Sequence, residues 1–352
     1  MRIYISKLCN RETKIAIGKG SLDILKDVEG EAVIIHSRKI DPRNVAEKLD
    51  NVARVIGVED GERAKDIENV LEIIRLIHRT ASPDLEWIVA VGGGTVLDVA
   101  GFAASIYRRG VKLINIPTTL LGMVDAAMGG KNGVNFDGVK NVLGTFYQPN
   151  LVISETSFLA TLPLEEILNG LAEVVKYCIT LDRELCFLLE SRSKEILSLD
   201  ENMIEEIIYR SAVNKMKIVE IDERDNMGIR IVLNYGHTIG HAIEAGSGFR
   251  VPHGKAISVG MVCEALLAEK MGMIGGKVIE FLINILRIYR LPTSARELGV
   301  DIDMERAVEA LRRDKKRRRG SIRLPLLTGV GMWRGVEVKV EDLEVCLKSC
   351  LE

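Results

Sequence analysis

The sequence predicts an α/β N-terminal nucleotide-binding domain with a parallel sheet, followed by a mostly α-helical C-terminal domain. Three observations carry this. Between residues 32 and 116, short apolar runs alternate with segments of helical period, the pattern of strand–helix–strand units. One run, Trp87 to Val91, leads into Gly92-Gly93-Gly94 and then a helix, at a strand's carboxyl end where open α/β sheets hold ligands. Beyond Ser154 the strand signals fade and long helical stretches follow. The boundary is placed near residue 155, giving domains 1–155 and 156–352.

Residues 3–6 and 14–17 read as short strands, and residues 21–27 can start a helix. Ala32-Val33-Ile34-Ile35 is an apolar run of strand length. A helix follows, with Asp41 as N-cap and Pro42 as its first residue. Residues 52–58 form a strand, and residues 66–80 carry apolar side chains at helical spacing. Residues 87–91 and 112–116 are strands. In the second half, residues 162–189, 194–219, 234–245, 254–271, 278–289 and 304–312 read as helices, punctuated by Pro163, Pro292 and glycines. Residues 322–327 suit an edge strand at best, because Pro325 lacks the N–H that a central strand needs.

Composition narrows the function classes. Hydrophobic residues at 47% and charged residues at 28% describe a folded globular protein, and a net charge of −2 gives no overall pull toward nucleic acid. The dense basic run from Arg312 to Arg319 has no aromatics beside it and reads as a solvated loop. No apolar run is long enough to span a membrane, and the start lacks a signal-peptide core, so a cytoplasmic location is expected. Six scattered cysteines without a CxxC read as buried free thiols in a reducing cytoplasm. Gln148 is the only glutamine, while Ile, Glu and Arg are plentiful, which fits a thermophile.

Chemistry concentrates in Asn234-Tyr235-Gly236-His237-Thr238-Ile239-Gly240-His241, followed by His253. Three of the five histidines fall there, and a helix puts His237 and His241 on one face. They are either metal ligands or helix histidines satisfied by hydrogen bonds. Glu173 and Lys176 share a helix face among apolar neighbours. They form a surface ion pair, or else Glu173 is the oxygen ligand that two imidazoles need for an open catalytic zinc site, with Lys176 on the substrate. Gly92-Gly93-Gly94 lets a diphosphate approach backbone N–H groups, or is merely a tight turn. Thr118 and Thr119 either bond a nucleotide or cap the next turn. Gly129-Gly130-Lys131-Asn132-Gly133 reads as a flexible cationic loop suited to a phosphate or carboxylate, with a merely solvated loop as the alternative. So many cations beside a metal and a nucleotide point to a small anionic substrate.

These residues, with Asp98, Tyr107-Arg108-Arg109-Gly110, Asp125, Lys140-Asn141, Phe146 to Pro149, Gly170 to Lys176 and Asp314-Lys315-Lys316, resemble the 3-dehydroquinate synthase family from about Asp60 to Gly331. The order and spacing together are specific, though no single motif is. The resemblance implies a nucleotide-binding α/β domain and a helical domain with the active site between them, a homodimer, NAD, and a divalent metal, usually zinc with cobalt possible. It implies Glu173, His237 and His253 as metal ligands. It places the substrate phosphate on His241, Lys131 and Asn141, with Arg109 reaching in from the other subunit. Asp125, Lys176, Lys215 and Asn234 would hold ring hydroxyls, with Lys217 as competitor for the Lys215 role. Arg230 and either Lys315 or Lys316 would hold the carboxylate. Glu62, Lys65, Gly93, Gly94, Asp98, Thr118, Thr119, Lys131 and Lys140 would bind NAD. The implied reaction takes 3-deoxy-D-arabino-heptulosonate 7-phosphate to 3-dehydroquinate and phosphate with transient oxidation by NAD. The chain departs from the family pattern at Leu97, at Asn132 and at His36-Ser37, where an aspartate-containing turn is usual. A sister sugar-phosphate cyclase and a metal-dependent polyol dehydrogenase are the rival readings.

Overall fold

The computed structural model describes residues 1–8, 11–313, 317–318 and 320–351. The chain forms two compact units, Met1–Pro163 with Ile204–Glu220, and Leu164–Met203 with Ile221–Glu352.

The first unit runs β1 (Arg2–Leu8), β2 (Arg11–Ile17), β3 (Glu31–Ser37), short helix α1 (Arg43–Ala46), β4 (Asn51–Val58), α2 (Ile67–Thr80), β5 (Leu85–Gly92), α3 (Gly94–Ile106), β6 (Lys112–Pro117), β7 (Lys131–Phe136), β8 (Val139–Phe146) and β9 (Leu151–Ser154). Seven strands make one sheet in the order β1-β2-β9-β6-β5-β3-β4. All its pairings are parallel except β1 with β2. The apolar runs that mark β3, β5 and β6 supply Ile34, Val89, Val91, Ile114 and Ile116 to the core, which is why they lack alternation. Asp41 accepts from the Arg43 backbone N–H at 3.0 Å, but Pro42 is the N-cap and α1 lasts only four residues.

Two features of this unit differ from or add to the expectations. The stretch Lys131–Phe136, read as a flexible loop, is a strand paired antiparallel with β8. The buried Asn132 side chain fixes it, donating to the carbonyls of Gly130 and Tyr147 at 3.0 Å each. The other is that the 3₁₀ turn Tyr107–Arg109 interrupts the chain before β6, with Arg108 and Arg109 both in the left-handed region at φ 50° and 67°.

The second unit runs α4 (Leu164–Leu181), α5 (Arg183–Ser191), α6 (Ser193–Leu197), α7 (Glu201–Ile221, of which residues 204–220 group with the first unit), α8 (His237–Gly246), α9 (His253–Lys270), α10 (Gly276–Ile288), α11 (Met304–Arg313), β10 (Arg317–Arg318), β11 (Ser321–Gly329), β12 (Met332–Lys339) and α12 (Val340–Leu351). The expected helix 162–189 breaks at Asp182, whose side chain caps α5 by accepting from the Leu185 N–H at 3.0 Å. The expected helix 194–219 breaks at Leu199, left-handed at φ 59°. Strand β11 is not an edge strand: β10 and β12 flank it. Among the described residues β10 pairs with Ser321 and Ile322, and Pro325 lies opposite Gly335 of β12.

The cysteines also differ from expectation. Cys178 is bonded to Cys186 and Cys263 to Cys350, with Cα atoms 4.9 and 5.9 Å apart. The α4–α5 turn makes the first pair, and packing of α12 on α9 makes the second, 87 residues apart in sequence. Among the described residues Cys346 is the free thiol.

Candidate active site

In the second unit the histidine stretch begins with a sharp change of direction. Gly236 takes a left-handed conformation at φ 77° before α8, and a Cβ there would meet Met261 and the Ile257 carbonyl oxygen within 3 Å. Across from it, a Cβ on Gly260 would lie 2.0 Å from the Gly236 carbonyl oxygen. Helices α8 and α9 therefore approach at backbone distance. Buried Glu264 holds the turn by accepting from the Gly236 N–H at 2.9 Å. That approach brings His237, first residue of α8, beside His253, first residue of α9, with ring centroids 5.2 Å apart.

Glu173, on α4, completes the cluster. Its Oε1 lies 3.2 Å from Nε2 of His237 and 3.2 Å from Nε2 of His253. One ligand atom from each of the three residues lies within 4.8 Å of the others. Each imidazole is pinned at its far nitrogen. His237 Nδ1 meets the Tyr235 carbonyl oxygen at 3.1 Å, and His253 Nδ1 meets Oε1 of Glu244 at 3.2 Å. Glu173 and Lys176 are each 1% exposed, so the ion pair between Lys176 Nζ and Glu173 Oε2 is not the surface pair that its spacing also allowed. Lys176 also donates to the Leu233 carbonyl at 2.9 Å and lies over the Tyr177 ring.

Charge in the cluster is sharply divided. Burial works against ionised Glu173, yet the Lys176 ammonium and hydrogen bonds to His237 and His253 hold its carboxyl well below the usual range. Burial lowers His237, which keeps it neutral and available as a ligand. Burial also opposes a charged His253, but two carboxylates face it, and Glu173 and Glu244 raise it to about 10. His241 is exposed, its Nε2 4.0 Å from Oε2 of Glu244 and its ring 5.4 Å from that of His237; with Glu244 and His253 it forms a second group whose ligand atoms lie within 4.8 Å of one another. Buried Arg230 donates to the Glu223 carbonyl at 2.7 Å, and half-buried Asn234 ends the 3₁₀ turn Arg230–Asn234.

The first unit holds a second constellation at the carboxyl ends of its strands. Gly93 caps α3 in extended conformation, and Thr118 N–H donates to the Gly92 carbonyl at 3.0 Å. The Thr119 hydroxyl accepts from Gly122 N–H at 3.1 Å, so it does cap the following turn. Buried Lys65 donates to Asp98 Oδ2 and to Asn141 Oδ1, both at 2.5 Å. Burial raises the Asp98 carboxyl despite that ammonium. Lys140 pairs with Glu62 at 3.4 Å, and Asn135 donates to Glu62 Oε1 at 2.9 Å. Lys215 on α7 meets Asp125, 3.1 Å from Oδ2 and 2.7 Å from its carbonyl oxygen. Lys131 and Arg109 are exposed. Asp314, Lys315 and Lys316 lie outside the described residues.

Three residues of these constellations escape a reading of the sequence. Glu244 sits one turn beyond His241, so the extended spacing His237-x-x-x-His241-x-x-Glu244 is the signal that reveals it. Asp222 is 1% exposed and accepts from the backbone N–H groups of Asn226, Met227, Ile229 and Arg230 at 2.9–3.2 Å. Asn135 joins Glu62 to the Asn141 backbone, whose N–H it accepts at 3.0 Å. Ser37, standing where an aspartate is usual, donates to Asp60 at 2.8 Å, which brings a carboxylate to that strand end from elsewhere in the chain.

Comparison with known proteins agrees with this geometry. The sequence matches the family descriptions "3-dehydroquinate synthase N-terminal" over residues 55–169 and "3-dehydroquinate synthase C-terminal" over residues 170–317. It is 52% identical to 3-dehydroquinate synthase of Sulfurisphaera tokodaii over 352 residues, covering all of both chains. The structure superposes on 2-deoxy-scyllo-inosose synthase, solved with carbaglucose-6-phosphate, NAD+ and Co2+, at a TM-score of 0.89 and 24% identity, covering 99% of this chain and 100% of the other. It superposes on the 2-epi-5-epi-valiolone synthase of Streptomyces hygroscopicus, solved with NAD+ and Zn2+, at a TM-score of 0.84 and 25% identity, covering 99% of each.

Proposed function

The chain belongs to the 3-dehydroquinate synthase family, and from that premise we propose how its residues turn 3-deoxy-D-arabino-heptulosonate 7-phosphate into 3-dehydroquinate and phosphate. The reaction runs through oxidation at C5, loss of phosphate, re-reduction, ring opening and an intramolecular aldol. The observation that carries the assignment is the convergence of Glu173 Oε1 on two pinned imidazole Nε2 atoms. One carboxylate and two imidazoles suit a divalent cation with an open position. The donor set fits: one carboxylate oxygen and two imidazole nitrogens lie within 4.8 Å of one another, and the far nitrogen of each imidazole is already engaged. Zinc is the preferred ion for such nitrogen and oxygen donors, with cobalt possible. When bound, the cation supplies Lewis acidity to the C5 oxygen and NAD supplies a reversible hydride acceptor.

The protein's own groups position and balance charge. Lys176, Asp125, Lys215 and Asn234 orient ring hydroxyls, and Arg230 with Lys315 or Lys316 takes the carboxylate. His241, Lys131 and Asn141 hold the phosphate close to the proton that its own oxygen removes, so elimination needs little beyond placement. Gly93 and Gly94 leave the start of α3 open to a diphosphate. Glu62, Lys65, Asp98, Thr118, Thr119 and Lys140 surround that end of the sheet and complete the NAD site. Residues 1–155 thus carry chiefly the cofactor, and residues 156–352 the metal. The active form is a homodimer in the cytoplasm, with Arg109 serving the other subunit. Support for the dimer comes from the β7–β8 hairpin, which exposes Phe136, Val139, Val142, Leu143 and Phe146.

Incubation with the heptulosonate phosphate, NAD and zinc tests this reading. Phosphate and 3-dehydroquinate should appear together without net NADH. Accumulating NADH would mean a dehydrogenase, and zinc-loaded protein that releases no phosphate would end the cyclase reading altogether.

A further inference from the structure

The two imidazoles of the cluster are pinned by different chemistry. His237 rests on a neutral backbone carbonyl, whereas His253 Nδ1 faces the Glu244 carboxylate. Glu244 is largely buried on α8, at 18% exposure, and its second oxygen faces His241 Nε2 at 4.0 Å. A carboxylate behind a ligating imidazole fixes its ring orientation and makes its free nitrogen a stronger donor. Glu244 also shares a helix with His237 and His241, one turn beyond the latter. It thereby ties His253 of α9 to His241 of α8.

We propose that Glu244 is a positioning residue: it aims Nε2 of His253 at the cation held with Glu173 and His237, and couples that ligand to His241. This rests on the metal assignment above, but it concerns a residue which that assignment leaves without a role. Replacing Glu244 by Ala frees the His253 ring to rotate. Replacing it by Gln keeps an accepting oxygen and the volume but removes the charge. The two variants therefore separate orientation from charge.

The test measures zinc affinity by competition with a chromogenic chelator, together with the ligand-field spectrum of the cobalt form, for wild type, Glu244→Gln and Glu244→Ala. Affinity should fall by roughly 10- to 100-fold in the alanine variant and by less in the glutamine variant. The cobalt spectrum should change in the alanine variant, which a role in folding alone would not produce. Kinetically, kcat should fall in zinc-saturated Glu244→Ala with KM changed less. If Glu244→Ala does not fold, a weakened zinc affinity in Glu244→Gln decides in favour. Wild-type affinity and spectrum in every folded variant overturn the proposal. If wild type itself binds no divalent ion, the metal assignment fails instead, so the two failures are distinct.

Discussion

Asp222 accepts four backbone N–H groups of the loop that leads to Arg230, and these hold its carboxyl below the usual range although burial pushes the other way. A carboxyl lowered on folding contributes stability that is present above its unfolded value of 3.8 and is lost as pH falls through the folded value. Asp222→Asn puts an amide donor against those N–H groups, and should cost about 1–3 kcal/mol at neutral pH. The loss should shrink as pH falls below 3.8, where the unfolded chain's carboxyl takes up a proton, and vanish once pH has passed the lowered native value. Urea unfolding of both proteins at pH 7 and pH 3 checks this, and an equal gap at the two values would sink it. The histidines separate in the same manner, one residue at a time. His237→Ala should abolish metal binding, because His237 is one of three converging donors. His241→Ala should spare the metal and harm turnover, because His241 is not one of the donors that converge with Glu173. Metal retained after His237→Ala would refute the triad.

At the scale of elements, what the sequence reveals depends on how local the cause is. Helices α8 and α9 are legible because one face of a helix follows from spacing alone. The parallel sheet is legible because its strands, buried on both faces, are unbroken apolar runs. Hairpin β7–β8 is hidden by its exposed side chains and glycines, since what fixes it is Asn132 reaching two carbonyls. The closure of His237 on His253 is only half legible: the glycines are visible, but the contact of Gly236 with Gly260 is tertiary. The disulfides are hidden for the same reason, because pairing follows helix packing rather than Cys spacing. They differ in the loop they close, 8 residues for Cys178–Cys186 and 87 for Cys263–Cys350. Chain entropy then predicts a loss of about 4–5 kcal/mol for breaking the long loop and about 2–3 kcal/mol for the short one. Cys350→Ser should therefore shift the unfolding midpoint more than Cys186→Ser, and a thiol reductant should lower the wild-type midpoint. A midpoint indifferent to reductant would mean that the bridges do not form in solution.

For the whole molecule, disulfides in a chain proposed to be cytoplasmic are at home in a hyperthermophile. That agrees with a chain holding a single glutamine, and predicts a melting temperature above the usual mesophile limit of about 65 °C in calorimetry. The proposed dimer raises a sharper question, because Arg109 has an unusual presentation. Two successive non-glycine residues, Arg108 and Arg109, are held at positive φ, and Arg109 is exposed. Such a turn costs backbone energy, and under the proposed dimer, aiming an arginine at a neighbouring copy's substrate would give it a purpose. Mixed dimers test this directly. Arg109→Ala and His237→Ala should each be nearly inactive alone. If Arg109 serves the other subunit, a mixed dimer has one site with His237 and Arg109 both intact and one site lacking both. Unfolding the two variants together and refolding them with zinc, or co-expressing them, should then restore about a quarter of wild-type activity, as random pairing in a twofold dimer requires. If Arg109 acts within its own chain, no pairing creates an intact site and the mixture stays as inactive as its parts.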